Sequence, residues 1–446
     1  MLAANAQHPV HRNPVLTAPS FFGSWLVTEA APMVLATWGV RTAVQVARRR
    51  GRLSAADRVG LGLTAAASAG LVKQMRDAAR SDEELRASLS SLVPAEHLDD
   101  RPRSLRTGAF VPFVNGRTRR LRTRGVVYSE QGPHRLRLDV YEPLECRPGE
   151  QRPAIVQIHG GAWVVGSKDE QGIPLLNHLA ANGWVGFNVD YRLSPRAKYP
   201  DHLVDCKAAL VWIREHAEEY GIDPDFIAVT GGSAGGHLTA LMALTQCDPR
   251  FQPGFESADT SVQAAVPFYG VYDLLDREQE YLPAFAKVLG KVVMGSDLLT
   301  EPEAWSSYSP LERVSADAPP MMIVHGDIDV LAPVGAARRF AAALRAVSPN
   351  PVVYSELHGA QHGFEIFPSI RTVRTVEYVE RFLSWVHGQY LSGLSAEEQA
   401  ARVVDDTPQQ LVADEVQHPA DAEPRAGGDE HPAATDPGVA AEAPAG

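Results

Sequence analysis

Ile227-Ala-Val-Thr-Gly-Gly-Ser-Ala-Gly-Gly-His237 is the stretch on which the reading of this chain turns. An apolar, β-type run ends in Gly231-Gly232-Ser233-Ala234-Gly235, a G-x-S-x-G pattern, and a helical pattern begins at once. Small residues on both sides of Ser233 let a strand and a helix approach closely, and they present the hydroxyl at the helix N-terminus. A phosphate-cradling loop would need Gly-Lys-Ser/Thr, which is absent. A dinucleotide fingerprint would need G-x-G-x-x-G after the first strand of its unit. The pattern therefore points to a nucleophilic serine.

Working outward, Ala154-Ile-Val-Gln-Ile158 reads as a buried strand that empties into His159-Gly160-Gly161-Ala162. Glycines after a strand let backbone come close to a substrate. Acyl transfer places negative charge on a carbonyl oxygen, which backbone N–H groups can hold. The expected donors are the N–H groups of Gly161, Ala162 and Ala234, with Gly160 permitting the bend and His159 as an orienting residue. A serine also needs a base, and the base a carboxylate. Asp327 and Asp329 follow one later strand, and His358 and His362 follow the last. Spacing alone does not choose within either pair.

Strand-like runs occur at 125–129, 136–141, 154–158, 185–189, 227–230, 264–268, 321–324 and 352–356, with helical patterns between them. One helix is expected from Pro200-Asp201 to Gly221, and others after Gly235, Pro333 and Arg371. Strands alternating with helices predict one α/β domain on a mostly parallel, eight-stranded sheet over residues 126–388.

The flanks differ in character. Of 42 basic and 54 acidic side chains, residues 395–446 hold 12 acidic ones against two arginines. That segment has no aromatic residue and reads as a disordered acidic tail. The overall charge of −12 gives no pull on nucleic acid. Residues 1–125 read as a helical extension with apolar stretches at 30–40 and 59–72, a basic knot at Arg48, Arg49, Arg50 and Arg52, and five arginines in 117–124. Two expectations compete there: helices that roof the catalytic domain, or attachment to an anionic membrane surface. The opening residues lack the pattern of a secretory signal, which leaves a cytoplasmic or membrane-associated location open. The three cysteines, Cys146, Cys206 and Cys247, are widely spaced and read as reduced, with Cys206 on an apolar helical stripe.

Taken together, Leu138-Asp-Val-Tyr-Glu-Pro143, His159-Gly-Gly-Ala-Trp163, Asp190-Tyr-Arg-Leu-Ser-Pro195, the Ser233 elbow, His325-Gly-Asp-Ile-Asp329 and His362-Gly-Phe364 resemble the α/β-hydrolase superfamily. Within it, the blocks are most similar to the hormone-sensitive-lipase-like bacterial carboxylesterases, some of them membrane-associated. The resemblance implies a Ser…Asp…His triad made of Ser233, Asp329 and His362, choosing Asp329 over Asp327 and His362 over His358. It implies a structural brace at Asp190, Tyr191 and Arg192. The implied activity is hydrolysis of short-to-medium acyl or lipid esters through an acyl-enzyme, with no metal or organic cofactor. Two other readings are an amidase or peptidase using the same triad, disfavoured because no propeller domain accompanies it, and a catalytically inactive binding module. Many relatives carry Asp at the place of Gly232 and Gly at the place of Ala162. The roof over the acyl pocket is expected from the N-terminal helices and from 272–310, where Tyr281, Leu282, Phe285, Val292, Val293 and Met294 are candidate lining residues.

Overall fold

The computed structural model describes residues 2–95 (except 11, 12, 14, 50 and 51), 98, and 122–395 (except 133, 145–149 and 282). Expectations for the acidic tail beyond 395, for Arg50, for Arg117, Arg119 and Arg120, and for Cys146 and Leu282 fall outside the described residues.

Eight strands form one sheet: β1 (Arg122–Gln131), β2 (His134–Tyr141), β3 (Arg152–Ile158), β4 (Val185–Val189), β5 (Ile222–Gly232), β6 (Ala264–Phe268), β7 (Met321–Gly326) and β8 (Val352–Leu357). Their order is β1-β2-β4-β3-β5-β6-β7-β8. β1 and β2 pair antiparallel, as do β2 and β4. The rest pair in parallel. Residues of β3, β4, β6 and β7 are buried throughout, as parallel strands covered on both faces must be.

Alternation along each strand feeds two cores. Val156 and Ile158 of β3, Val229 of β5 and Ile323 of β7 face one cluster, joined by Leu203, Cys206, Leu210 and Ile213 of a helix at Asp201–Glu215. Ile155, Ala228 and Met322 face the other, covered by a helix at Ile173–Ala181 and by the long helix Ile370–Ser392. The expected helix from Pro200 to Gly221 is interrupted at His216. Its ring stacks on Trp212 at 3.9 Å and its Nδ1–H donates to the Trp212 carbonyl at 2.8 Å. A short turn, Ala217–Tyr220, follows, closed by Gly221 at φ 59°.

The N-terminal region supplies α1 (Thr17–Glu29), α2 (Ala31–Arg48) and α3 (Ala55–Leu89). Ser54 and Asp57 form a reciprocal capping box at the start of α3. The far end of α3 places Leu85 and Leu89 in the second core, so this region packs on the catalytic sheet. Among the described residues no helix is long and apolar enough to cross a membrane. Glu29, which bounds the apolar stretch at 30–40, is buried with Arg371 and accepts a 2.6 Å hydrogen bond from Ser369 Oγ. α2 and α3 do expose Val40, Val44, Val59 and Leu63. Cys206 is buried and Cys247 exposed, both as free thiols.

Candidate active site

The C-terminal ends of β3, β5, β7 and β8 converge on one edge of the sheet, where open α/β folds bind ligands. At the end of β5, Ser233 sits at φ 60°, ψ −119°, a conformation that costs a non-glycine residue strain and turns its side chain outward. The turn is over-determined by its neighbours. Ser233 N–H donates to the Phe268 carbonyl at 3.0 Å, and His237 N–H donates to the Ser233 carbonyl at 2.9 Å. A β-carbon on Gly231 would lie 2.4 Å from the Ile158 carbonyl oxygen, and one on Gly235 would lie 2.1 Å from the same atom. Only glycine lets β3, β5 and the helix Ala234–Leu244 meet at backbone distance.

The loop after β3 is folded by its first residue. Burial pulls the His159 imidazole down to about 4, so it is neutral near pH 7, and its Nδ1–H donates to the Gly160 carbonyl at 2.7 Å. Its ring stacks on Tyr191 at 4.4 Å, and Tyr191 Oη–H donates to the His159 carbonyl at 3.0 Å. Arg192 grips the Asp205 carboxylate through Nε and Nη2, each at 2.8 Å. Asp190 Oδ1 accepts from Lys168 N–H at 2.8 Å. These contacts are those of a brace. The Gly160 N–H is taken by Gln171 Oε1 at 2.7 Å. Among the described residues no protein acceptor engages the N–H groups of Gly161, Ala162 or Ala234.

Both candidate aspartates meet a candidate histidine. Asp327 Oδ2 meets His358 Nδ1 at 2.7 Å, and Asp329 Oδ2 meets His362 Nδ1 at 2.7 Å. Their surroundings separate them. The His358 side chain is 49% exposed, whereas that of His362 is 9% exposed. Asp329 Oδ1 also accepts from the N–H groups of Leu331 and Ala332, both at 2.8 Å, which fixes the carboxylate plane. Asp329 and His362 open onto a cavity of about 720 Å³ that is also lined by Ser233, Gly161 and Ala162. A buried imidazole held by a carboxylate, beside a strained serine and free amides, can move a proton and hold an oxyanion.

With this geometry, similarity to known proteins is specific. The family model described as BD-FAE matches residues 138–344. The probable carboxylic ester hydrolase LipM of Mycobacterium tuberculosis (strain ATCC 25618 / H37Rv) is 40% identical over 405 residues, covering 87% of this chain and 91% of that protein. This chain belongs to the hormone-sensitive-lipase-like esterases of the α/β-hydrolase superfamily. Esterase LipC of the same organism is 40% identical over 70% of this chain and 77% of its own length. The butyrate-bound esterase Est2 of Thermogutta terrifontis superposes with a TM-score of 0.51 at 30% identity, over 58% of this chain and 92% of its own. The same Thermogutta enzyme is known phosphonylated by sarin, with a TM-score of 0.51 and 30% identity over 58% of this chain and 92% of that one. The esterase is a carboxylic ester hydrolase.

In this esterase the N-terminal helices do contribute to the roof, as expected, through residues that the sequence did not single out. Phe21, Phe22 and Trp25 of α1 line the cavity. Trp25 Nε1–H donates to the Gly363 carbonyl at 2.8 Å, and the edge of Phe21 faces His362 at 6.1 Å. The roof expected from 272–310 needs correction. Tyr281 and Phe285 do line the cavity, stacked at 4.7 Å. Val293 and Met294 instead belong to the first core, with Val292 packed against it. Tyr269 and Glu365 were also missed. Burial pushes the Glu365 carboxyl up to about 7, although the Tyr269 hydroxyl that donates to it pulls the other way.

Proposed function

We propose that Ser233, Asp329 and His362 form the catalytic triad of this esterase. The reading is carried by one observation: the Asp329–His362 pair, 2.7 Å apart, opens onto the same cavity as the strained Ser233. His362 Nε2 takes the Ser233 proton as Oγ attacks the ester carbonyl. Asp329 holds Nδ1–H, fixing the tautomer and stabilising the imidazolium. The N–H groups of Gly161, Ala162 and Ala234 receive the oxyanion, and Gly160 shapes their loop. His362 then protonates the leaving alkoxide and afterwards activates water to cleave the acyl-enzyme.

The cavity sets the substrate class. At about 720 Å³ it lies in the range of drug-sized ligand sites, and its wall combines aromatic side chains from α1 and Tyr281 and Phe285 with aliphatic ones such as Val271, Leu331 and Ile366. Such a wall favours an apolar acyl group of short to medium length. Matched p-nitrophenyl esters and anilides from acetate to palmitate test this. The expected result is a maximum in kcat/KM between butyrate and octanoate, with the anilides turned over far more slowly. A maximum at palmitate, or anilides matching esters, would contradict it.

A further inference from the structure

The residue before Ser233 is Gly232, and the space beside it is filled. A β-carbon at position 232 would stand 2.6 Å from Tyr269 Oη and 2.9 Å from Tyr269 Cε2 and Cζ. The tyrosine has little freedom to yield. It is 1% exposed, begins just past β6 at φ 34°, and is wedged against Phe364 at 5.4 Å. Its N–H donates to the Val324 carbonyl of β7 at 2.8 Å, while the preceding carbonyl, of Phe268, accepts from Ser233 N–H at 3.0 Å.

The other side of the same ring faces the base. The centroids of Tyr269 and His362 are 4.6 Å apart at 55°. The Tyr269 hydroxyl donates to Glu365 Oε2, a buried carboxylate three residues beyond His362 on the same loop. One ring therefore touches the nucleophile's strand on one side and the histidine loop on the other, and its hydroxyl is tied to that loop.

We infer that Tyr269, anchored by Glu365, is a positioning residue that spaces His362 from Ser233, and that Gly232 is glycine because the tyrosine occupies the place of a side chain there. The inference rests on the triad reading above. Tyr269 takes no proton and makes no bond in the reaction; it sets the separation across which His362 works. A displacement of about 1 Å in such a constellation costs on the order of 100-fold in rate.

Reciprocal substitution tests this, with turnover of p-nitrophenyl butyrate and fluorophosphonate labelling both read per folded molecule. Gly232→Asp in the parent chain is expected to lower kcat/KM by about 100-fold. In a Tyr269→Ala background the same substitution is expected to change kcat/KM by less than about threefold relative to Tyr269→Ala alone, because the vacated space admits the new side chain. Tyr269→Phe keeps the ring and folds independently of that outcome. It is expected to lower kcat about tenfold with KM within about twofold. Gly232→Asp without effect in the parent, an equally large loss from Gly232→Asp in the Tyr269→Ala background, or Tyr269→Phe with unchanged kcat and reduced thermal stability only, would each overturn the inference. A parent that takes no label on Ser233 would remove the triad reading and this one together. A labelled parent that tolerates Gly232→Asp would remove this one alone.

Discussion

His362→Ala is expected to lower kcat on p-nitrophenyl butyrate by about 10⁴-fold or more, while His358→Ala leaves it within about threefold. The contrast is sharp because the two histidines have the same immediate partner geometry, an aspartate at 2.7 Å. What differs is what surrounds each ring. His362 lines the cavity that holds Ser233, and its ring is pinned between Tyr269 and Phe21. His358 is half exposed, and its aspartate spends Oδ1 on the Gly359 N–H at 2.7 Å, which shapes the loop rather than a reaction. An exposed pair of this kind contributes up to about 1 kcal/mol to stability. Steady-state kinetics of both variants, with thermal melts to confirm folding, checks the assignment. Comparable losses in the two, or a larger loss in His358→Ala, would contradict it.

Glu29→Ala is expected to destabilise the protein by about 3–5 kcal/mol, the usual cost of breaking a buried ion pair by removing one partner. Glu29 and Arg371 are both buried, so removing the carboxylate leaves a buried guanidinium without the anion it pairs with. Burial is the largest influence on the Glu29 carboxyl and raises it above the ordinary glutamate range, against the pull of Arg371 and Ser369. The consequence extends to the site. α1 also reaches the histidine loop through Trp25 to Gly363 at 2.8 Å and Ser24 to Gln361 at 3.1 Å. Loosening its end therefore loosens the roof over His362. Thermal or urea unfolding measures the loss, and activity at a temperature where the variant stays folded is expected to fall as well. A melting temperature within a degree or two of the parent would show the pair to be dispensable.

What was legible in the sequence follows from how local each signal is. The elbow is spelled in the five consecutive residues Gly231–Gly235 and their flanks, because strand end, turn and helix start are each dictated by neighbours, and Ser233 stands at φ 60°, as an elbow turn requires. The eight strands were readable as apolar runs, though their ends were not. β5 starts at Ile222, five residues before the apolar run begins, and is only partly buried there. Residues alone left Asp327 or Asp329, and His358 or His362, undecided, since both loops form genuine pairs; burial separates them, and burial is a tertiary property. The roof was least legible. The Trp25–Gly363 hydrogen bond spans 338 positions, and nothing in the α1 sequence names its partner. For the same reason Glu29 reads along the chain as the charged border of an apolar stretch, whereas in the fold it is a buried partner of Arg371. Val293 and Met294 look like acyl-pocket residues beside Tyr281 and Phe285, yet they turn into the first core. Gly232 gains its meaning only from Tyr269, just past the end of a different strand.

The proposed chemistry requires that Ser233 Oγ receive the acyl group. Replacing it with alanine removes Oγ and leaves the Asp329–His362 pair, the free amides and the cavity in place. Turnover of p-nitrophenyl butyrate by folded Ser233→Ala is expected to fall by about 10⁵-fold, with a melting temperature no lower than that of the parent. Turnover within tenfold of the parent would mean that another residue is the nucleophile.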